Sequence, residues 1–352
     1  MEVLVTVVAE QFEHVVGIDT HARTHTYCLV HAPTGALVDT ATFPTSPAGN
    51  ARAVSWIARR SKKTTVLAAV EGTSSYGASI TALLTETGIS VAEVRPAART
   101  SHAHTGKSDL LDAEAAARYA LAQDLEHLSH PRQTGDRTAL RVLLTARSHI
   151  DQQRTANRNA LNALARSTDL GIDARKPLTD AQVKTIAAWR TSRNTGTLRV
   201  LRSEAKRLAT TIGEQTDLLT VNHRELAALT EKLAPGLQEL PGVGPVTGAI
   251  LVTAYSHRGR IRSEAAFAAL GGIAPLPASS GNNTRHRLSR SGDRQLNRAI
   301  DVIVRTRMSY DTPTRTYVER RRNEGRTPRE IRRCLKRYVA RSMFRQLQAR
   351  MT

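Results

Sequence analysis

Apolar positions fall in short, strand-length runs over the first third of the chain, and from Arg137 onward they recur at three and four. His14–Ile18 reads as a short buried strand, and Thr26–His31 as its hairpin partner. Ala36–Phe43, after the turn Pro33-Thr34-Gly35, alternates like a third strand. Ala48–Arg60 has helical spacing, and Thr65–Val70 reads as a buried strand. Tyr76–Thr87 predicts a helix closed by Gly88, Ile89–Val94 a strand stopped by Pro96, and Asp109–Gln123 an alanine-rich helix. This order predicts a mixed α/β domain. From Arg137 to about Leu233 the pattern is almost wholly helical. Ala139–Ala165 and Thr197–Leu233 are long, with Gly171, Pro177 and Gly196 in the break between them, which predicts an antiparallel hairpin or coiled-coil arm. A short helix at Ala265–Leu270, a Gly/Ser/Asn stretch at 271–284 and Arg-rich helices from Asp293 complete a mainly helical last part.

Charge changes the picture. The 352 residues suit two or three domains, and 51 Lys+Arg against 31 Asp+Glu give +20. The surplus is uneven: residues 1–125 carry a net of −2, residues 126–284 carry +8 and residues 285–352 carry +14. A basic end of this kind suits a polyanion, and a near-neutral start leaves its carboxylates available for chemistry. The arm's polar face holds Arg154, Arg158, Arg166, Arg199, Arg202, Lys206 and Arg207, either as ordinary solvated charges or as a backbone-binding stripe. No apolar run approaches a membrane span, Met1–Gln11 does not read as a secretion signal, and Cys28 and Cys334 cannot form a zinc knuckle or a disulfide framework. These features predict a cytoplasmic protein with no membrane contact.

Four carboxylates stand where α/β sheets bind ligands. Asp19 ends the first strand and Glu71 the fourth, while Asp109 and Asp112 open the helix after the fifth, one turn apart on one face. Oxygen donors of this kind suit Mg²⁺, and a pair of such ions can clamp the attacking and leaving oxygens of a phosphodiester. Taken singly, Asp109 also reads as a helix cap and Asp19 as a turn residue. Leu240-Pro241-Gly242-Val243-Gly244-Pro245 is similar to the turn of a helix-hairpin-helix, in which Gly242 and Gly244 permit a tight turn and the following helix offers backbone N–H groups to phosphate. Ser279-Ser280-Gly281 precedes Arg285, His286 and Arg287, so a hydroxyl stands near cations that could favour a scissile phosphate. Ordinary loop chemistry explains the same residues.

Together these pieces resemble the insertion-sequence transposases of the one-ten family, over nearly the whole chain from about Val15 to Leu347. The pieces are Gly17-Ile18-Asp19, Glu71-Gly72, Lys107-Ser108-Asp109-Leu110-Leu111-Asp112-Ala113, Leu240-Pro241-Gly242-Val243-Gly244, and Ser280-Gly281 ahead of Arg290-Ser291-Gly292-Asp293-Arg294. Ser108 stands where members usually carry threonine. The resemblance implies a RuvC-like, RNase H-like DEDD domain at 1–125, a helical coiled-coil arm at 126–235 for oligomerisation and nucleic-acid contact, and a transposase domain at 236–352. It implies a recombinase guided by a bridge RNA that pairs with donor and target DNA. The tetrad Asp19, Glu71, Asp109 and Asp112 would hold Mg²⁺, or Mn²⁺ in its place, and Ser280 would be the nucleophile, with Ser279 its neighbour and alternative. Arg285, Arg287, Arg290 and Arg294 would contact nucleic acid with the Gly242/Gly244 turn. The active form would be a dimer or tetramer, the serine of one subunit meeting the tetrad of another. Two other functions fit the same residues: a Mg²⁺-dependent RNase H-like nuclease or Holliday junction resolvase, and a basic nucleic-acid-binding protein without activity.

Overall fold

The computed structural model describes residues 6–94, 108–132, 134–191, 195–274, 276–277, 286–287 and 292–351. Ser279, Ser280, Arg285 and Arg290 lie outside the described residues, as does the side chain of Arg287. The chain divides into two units, residues 1–133 with 259–262, and the remainder.

The first unit runs α1 (Val8–Gln11), β1 (His14–Thr20), β2 (Thr24–His31), β3 (Leu37–Pro44), α2 (Pro47–Arg60), β4 (Val66–Glu71), α3 (Ala78–Glu86), β5 (Ser90–Val94) and α4 (Asp109–Leu121). All the strands and helices expected there form, with ends shifted by a few residues. They make one five-stranded sheet in the order β3-β2-β1-β4-β5. The β1–β2 and β2–β3 pairs are antiparallel, and β1–β4 and β4–β5 are parallel. Strand alternation divides the core into two layers. Val16, Ile18, Tyr27, Leu29, Ala68 and Val70 pack with α2 and α3 through Trp56, Ile57, Ile80 and Leu84. Val15, Cys28, Val30, Leu67 and Ala69 face α4, which meets them with Ala113, Ala116, Ala117 and Ala120. Burial pushes the Cys28 thiol up to about 11, so it behaves as a small apolar side chain.

The small residues of α4 have a purpose that shows at Gly17. A Cβ there would lie 1.9 Å from the Ala113 carbonyl oxygen and 2.6 Å from the Ala117 nitrogen. Both are backbone atoms, so α4 could accommodate a methyl only by moving away from β1. Gly17→Ala should therefore lower stability by about 3 kcal/mol, the upper part of the usual overpacking cost. Gly213, in a helix with open space around its α-carbon, is the control. Gly213→Ala should be neutral or stabilising by up to about 1 kcal/mol. Denaturant titration of both variants measures the difference, and equal stabilities would remove the close approach at Gly17 from the account.

Two histidines in this unit are held neutral. His14 is buried with its Nδ1 2.9 Å from Thr64 Oγ1, and His25 is 1% exposed. Burial lowers both pKa values below the ordinary 6.5, His31 adding to the effect at His14. As pH falls below 6.5 the unfolded chain therefore takes up protons before the folded one does. Stability should fall over that window, by at most about 1.4 kcal/mol per pH unit for each histidine. Melting at pH 7.0 and 5.5 should show the loss in the parent protein and less of it in a His14→Gln/His25→Gln variant. An equal loss in the variant would assign it to other groups.

In the second unit α5 (Asp136–Ser167) and α7 (Gly196–Leu233) pair antiparallel. Asn222 Nδ2 donates to the Leu143 oxygen at 3.0 Å, Arg147 Nη1 to the Leu219 oxygen at 3.1 Å, and Asn157 Nδ2 to Gln215 Oε1 at 3.2 Å, so residue numbers rise on one helix as they fall on the other. The break between them is not plain loop. It holds α6 (Asp180–Ala187), started by a Thr179/Gln182 capping box and packed through Val183 and Ile186 on Leu161, Leu208 and Ile212. Most cations of the arm's polar face are engaged within the arm. Arg158 pairs with Asp180, Arg207 with Glu204 and Arg154 with Asp151; Arg166 donates to the Ala174 oxygen, and Arg202 lies over the Trp189 ring. For these residues the geometry favours structural charges over a backbone-binding stripe.

Beyond the arm come α8 (Pro245–Tyr255), α9 (Glu264–Leu270), the two-residue strands β6 (Leu276–Pro277) and β7 (His286–Arg287), then α10 (Arg294–Tyr310), α11 (Thr312–Asn323) and α12 (Pro328–Arg350). Among the described residues no helix is long and apolar enough to cross a membrane.

Candidate metal centre and nucleic-acid contacts

The strand parity that builds the core also aims the carboxylates. Val15 and Gly17 face α4, so Asp19, two positions on, faces the same side. Leu67 and Ala69 face α4 as well, which places Glu71 on that side of β4. The parallel register pairs Ile18 with Val70, so Asp19 and Glu71 follow as neighbours at the C-terminal ends of adjacent strands. Thr20 Oγ1 donates to the Glu71 carbonyl oxygen at 2.8 Å and ties the two ends together. Gly72 then turns the chain with a φ of +65°, a conformation open to glycine.

The fifth strand is followed by residues outside the description, after which α4 begins with Ser108 as its cap. The Ser108 hydroxyl accepts from the Leu111 nitrogen at 3.3 Å. The cap is therefore the serine and not Asp109, and Asp109 and Asp112 stand in the first turn behind it. Asp19 is only 6% exposed, whereas Asp109 is about half exposed.

Sequence reasoning missed His21. Its Nδ1 lies 3.4 Å from Asp19 Oδ2 and 4.0 Å from Asp109 Oδ2. One ligand atom from each of Asp19, His21 and Asp109 can be chosen so that all lie within 4.8 Å of one another, close enough to share one ion. The signal was present: positions 17, 19 and 21 continue one face past the end of β1. Two carboxylates and an imidazole fit a divalent cation, and Glu71 and Asp112 stand on the same side of the sheet and on the same helical turn, respectively.

The glycine turn of the second unit, residues 240–244, leads directly into α8. A short 3₁₀ turn, Leu237–Glu239, separates α7 from it. Gly242 has a φ of +81°, and a Cβ there would sit 3.0 Å from the Ile303 oxygen. Arg307 Nε, from α10, donates to the Pro241 oxygen at 2.8 Å. Gly244 caps α8, but its N–H donates to Thr247 Oγ1 at 2.9 Å, and Pro245 has no N–H to offer. Arg294 is exposed at the first position of α10.

One family model, described as a transposase and specific to the DEDD domain of IS110 elements, matches residues 16–168. A second, described as transposase IS116/IS110/IS902 family, matches residues 234–319. Two curated relatives agree. The 43.6 kDa protein of insertion element IS110 from Streptomyces coelicolor is 33% identical over 136 residues, 38% of this chain and 33% of that protein. The 44.8 kDa protein of insertion element IS116 from Streptomyces clavuligerus is 33% identical over 114 residues, 30% of this chain and 27% of that protein. The matched stretches thus span about a third of each relative. With both halves of the family's pattern present in order, and acidic groups converging inside the first, the chain belongs to the IS110 family of transposases.

Proposed function

We propose that the protein cuts and rejoins donor and target DNA as the transposase of an insertion sequence, guided by a bridge RNA. The observation that carries this reading is the meeting of β1 and α4, where Asp19, His21 and Asp109 come within one ion's reach beside the end of β4. The sheet order β3-β2-β1-β4-β5, with a reversed first hairpin and parallel β4 and β5, supports an RNase H-like, RuvC-like domain at 1–125. The antiparallel α5/α7 pair supports a coiled-coil arm within 126–235, and the active form in this reading is a dimer or tetramer. Residues 236–352 form the transposase domain.

In this reading Asp19, Glu71, Asp109 and Asp112 hold Mg²⁺, with His21 as a nitrogen donor that would suit Mn²⁺ at least as well. When bound, such an ion neutralises charge on the phosphate and on the leaving oxygen. The nucleophile is Ser280, with Ser279 as its neighbour. As the Ser280 Oγ–P bond forms, one P–O bond of the DNA breaks and its oxygen leaves as a deoxyribose hydroxyl carrying the proton. Attack by a second deoxyribose hydroxyl reverses the step on a new partner and releases serine. The number of ester bonds is conserved, so rejoining needs no outside energy. Burial of Asp19 against α4 lets β1 and α4 hold the acidic groups on rigid elements.

A plasmid assay tests the reading: purified protein, RNA transcribed from the element, and donor and target plasmids with Mg²⁺. Joined donor–target product that requires the RNA is the expected result. Cutting without joining would favour the nuclease or resolvase function, and binding alone would favour the non-enzymatic one.

A further inference from the structure

A basic cavity of about 640 Å³ lies in the second unit. Its walls come from three places: the Gly271-Gly272 turn after α9, the start of α10, and one face of α12. Arg329, Arg332, Arg333 and Lys336 recur at three and four, so they share that face of α12. Arg294 joins them from α10. Other cations nearby are paired: Arg305 of α10 with Asp301, Arg341 of α12 with Glu264, and Arg326, just before α12, with Glu330. Among the described residues none of Arg294, Arg329, Arg332 and Arg333 makes an ion pair, and all four are exposed. The one carboxylate of the wall, Asp301, is neutralised by Lys336 at 3.3 Å and Arg305 at 3.1 Å.

The cavity floor is also the base of the segment that carries Ser280. That segment leaves at Gly272 and returns at Gly292, where the two strands of backbone touch: a Cβ on Gly292 would lie 2.2 Å from the Gly272 nitrogen. The Asp293 N–H donates to the Leu270 oxygen at 2.7 Å. Asn297 Nδ2 donates to the Gly271 oxygen at 2.6 Å, and Lys336 Nζ to Asn297 Oδ1 at 2.7 Å. A chain of hydrogen bonds thus runs from α12 through α10 to the base of the segment.

We propose that this cavity is a DNA backbone site, in which Arg294, Arg329, Arg332 and Arg333 grip consecutive phosphates of the strand that Ser280 cuts. The inference rests on the transposase reading, which makes DNA rather than RNA the polyanion next to that segment. Guanidinium forks are suited to phosphate, and a volume of this order accommodates a short stretch of sugar–phosphate backbone. Lys336 is occupied by Asp301 and Asn297 and has a positioning role: it fixes the base of the segment relative to the bound phosphates.

The test is DNA binding by the full chain, measured by anisotropy with a labelled 30-base-pair duplex over a range of salt concentrations. Arg294→Ala/Arg329→Ala/Arg333→Ala is compared with Arg298→Ala/Arg315→Ala/Arg322→Ala, which removes the same charge from exposed positions outside the cavity. The cavity variant should bind at least tenfold more weakly, with a log–log salt slope flatter by about 2 to 3, near 0.9 for each phosphate no longer neutralised. The second variant should change both values much less. Circular dichroism should show both folded, and Arg→Lys versions of the cavity variant should recover part of the slope. Equal effects from the two triple variants would overturn the site in favour of diffuse attraction. Loss of binding to a labelled structured RNA with duplex binding unchanged would overturn it in favour of an RNA site. A parent protein that binds no DNA would overturn the transposase reading as well, whereas loss of cleavage alone, with parental binding and slope in the cavity variant, would overturn the site and leave the transposase reading standing.

Discussion

Replacing Asp19 by asparagine is expected to abolish strand cleavage and leave the fold in place. Asp19 is buried against α4 beside His21, and its face is set by the parity of β1. Asparagine keeps the shape and removes the charge. Losing one anionic ligand should remove several kcal/mol of transition-state stabilisation, about 10³-fold or more in rate. Asp112→Asn should behave alike, because it lies on the first turn of the same helix as Asp109. His21→Ala should be milder with Mg²⁺, which favours oxygen donors, than with Mn²⁺. Recombination rate, with the melting temperature as control, measures each. Full activity of Asp19→Asn would take the carboxylates out of the mechanism.

The second large effect is expected at Ser280. Four carboxylates can serve a hydrolytic site with water as nucleophile, so cleavage by itself needs no serine. Rejoining cut ends without an energy source requires that the broken bond be kept as an ester, and in this reading Ser280 keeps it. Ser280→Ala should therefore lose recombination entirely while keeping RNA and DNA binding, and Ser279→Ala should lose much less. An inactive Ser279→Ala beside an active Ser280→Ala would move the nucleophile by one residue.

The sheet was legible because short runs of Val, Ile, Leu and Ala between turn residues leave few alternatives to strands. Asp19 and Glu71 were legible for the same reason, as charges at the ends of apolar strands. His21 was not, because a histidine past a strand end looks like part of a turn until the strand is seen to continue its face. Helix α6 hid inside a break marked by Gly171 and Pro177, although Thr179-Asp180-Ala181-Gln182 has the spacing of a capping box. The role of Gly17 depends on how closely α4 approaches β1, a tertiary distance that no local pattern encodes. The basic cavity escaped notice because its residues come from three separated segments. That Arg294, Arg329, Arg332 and Arg333 have no carboxylate partner among the described residues emerges only when the helices are packed.

The most direct measurement of the central claim is a search for protein covalently joined to DNA. Protein, transcribed RNA and end-labelled donor DNA are incubated with Mg²⁺, stopped with detergent and separated by denaturing electrophoresis. The account predicts a labelled, protease-sensitive adduct in the parent protein that is absent from Ser280→Ala and from Asp19→Asn. DNA cut efficiently by the parent protein with no adduct at any time would contradict it, and would assign the nucleophile to water.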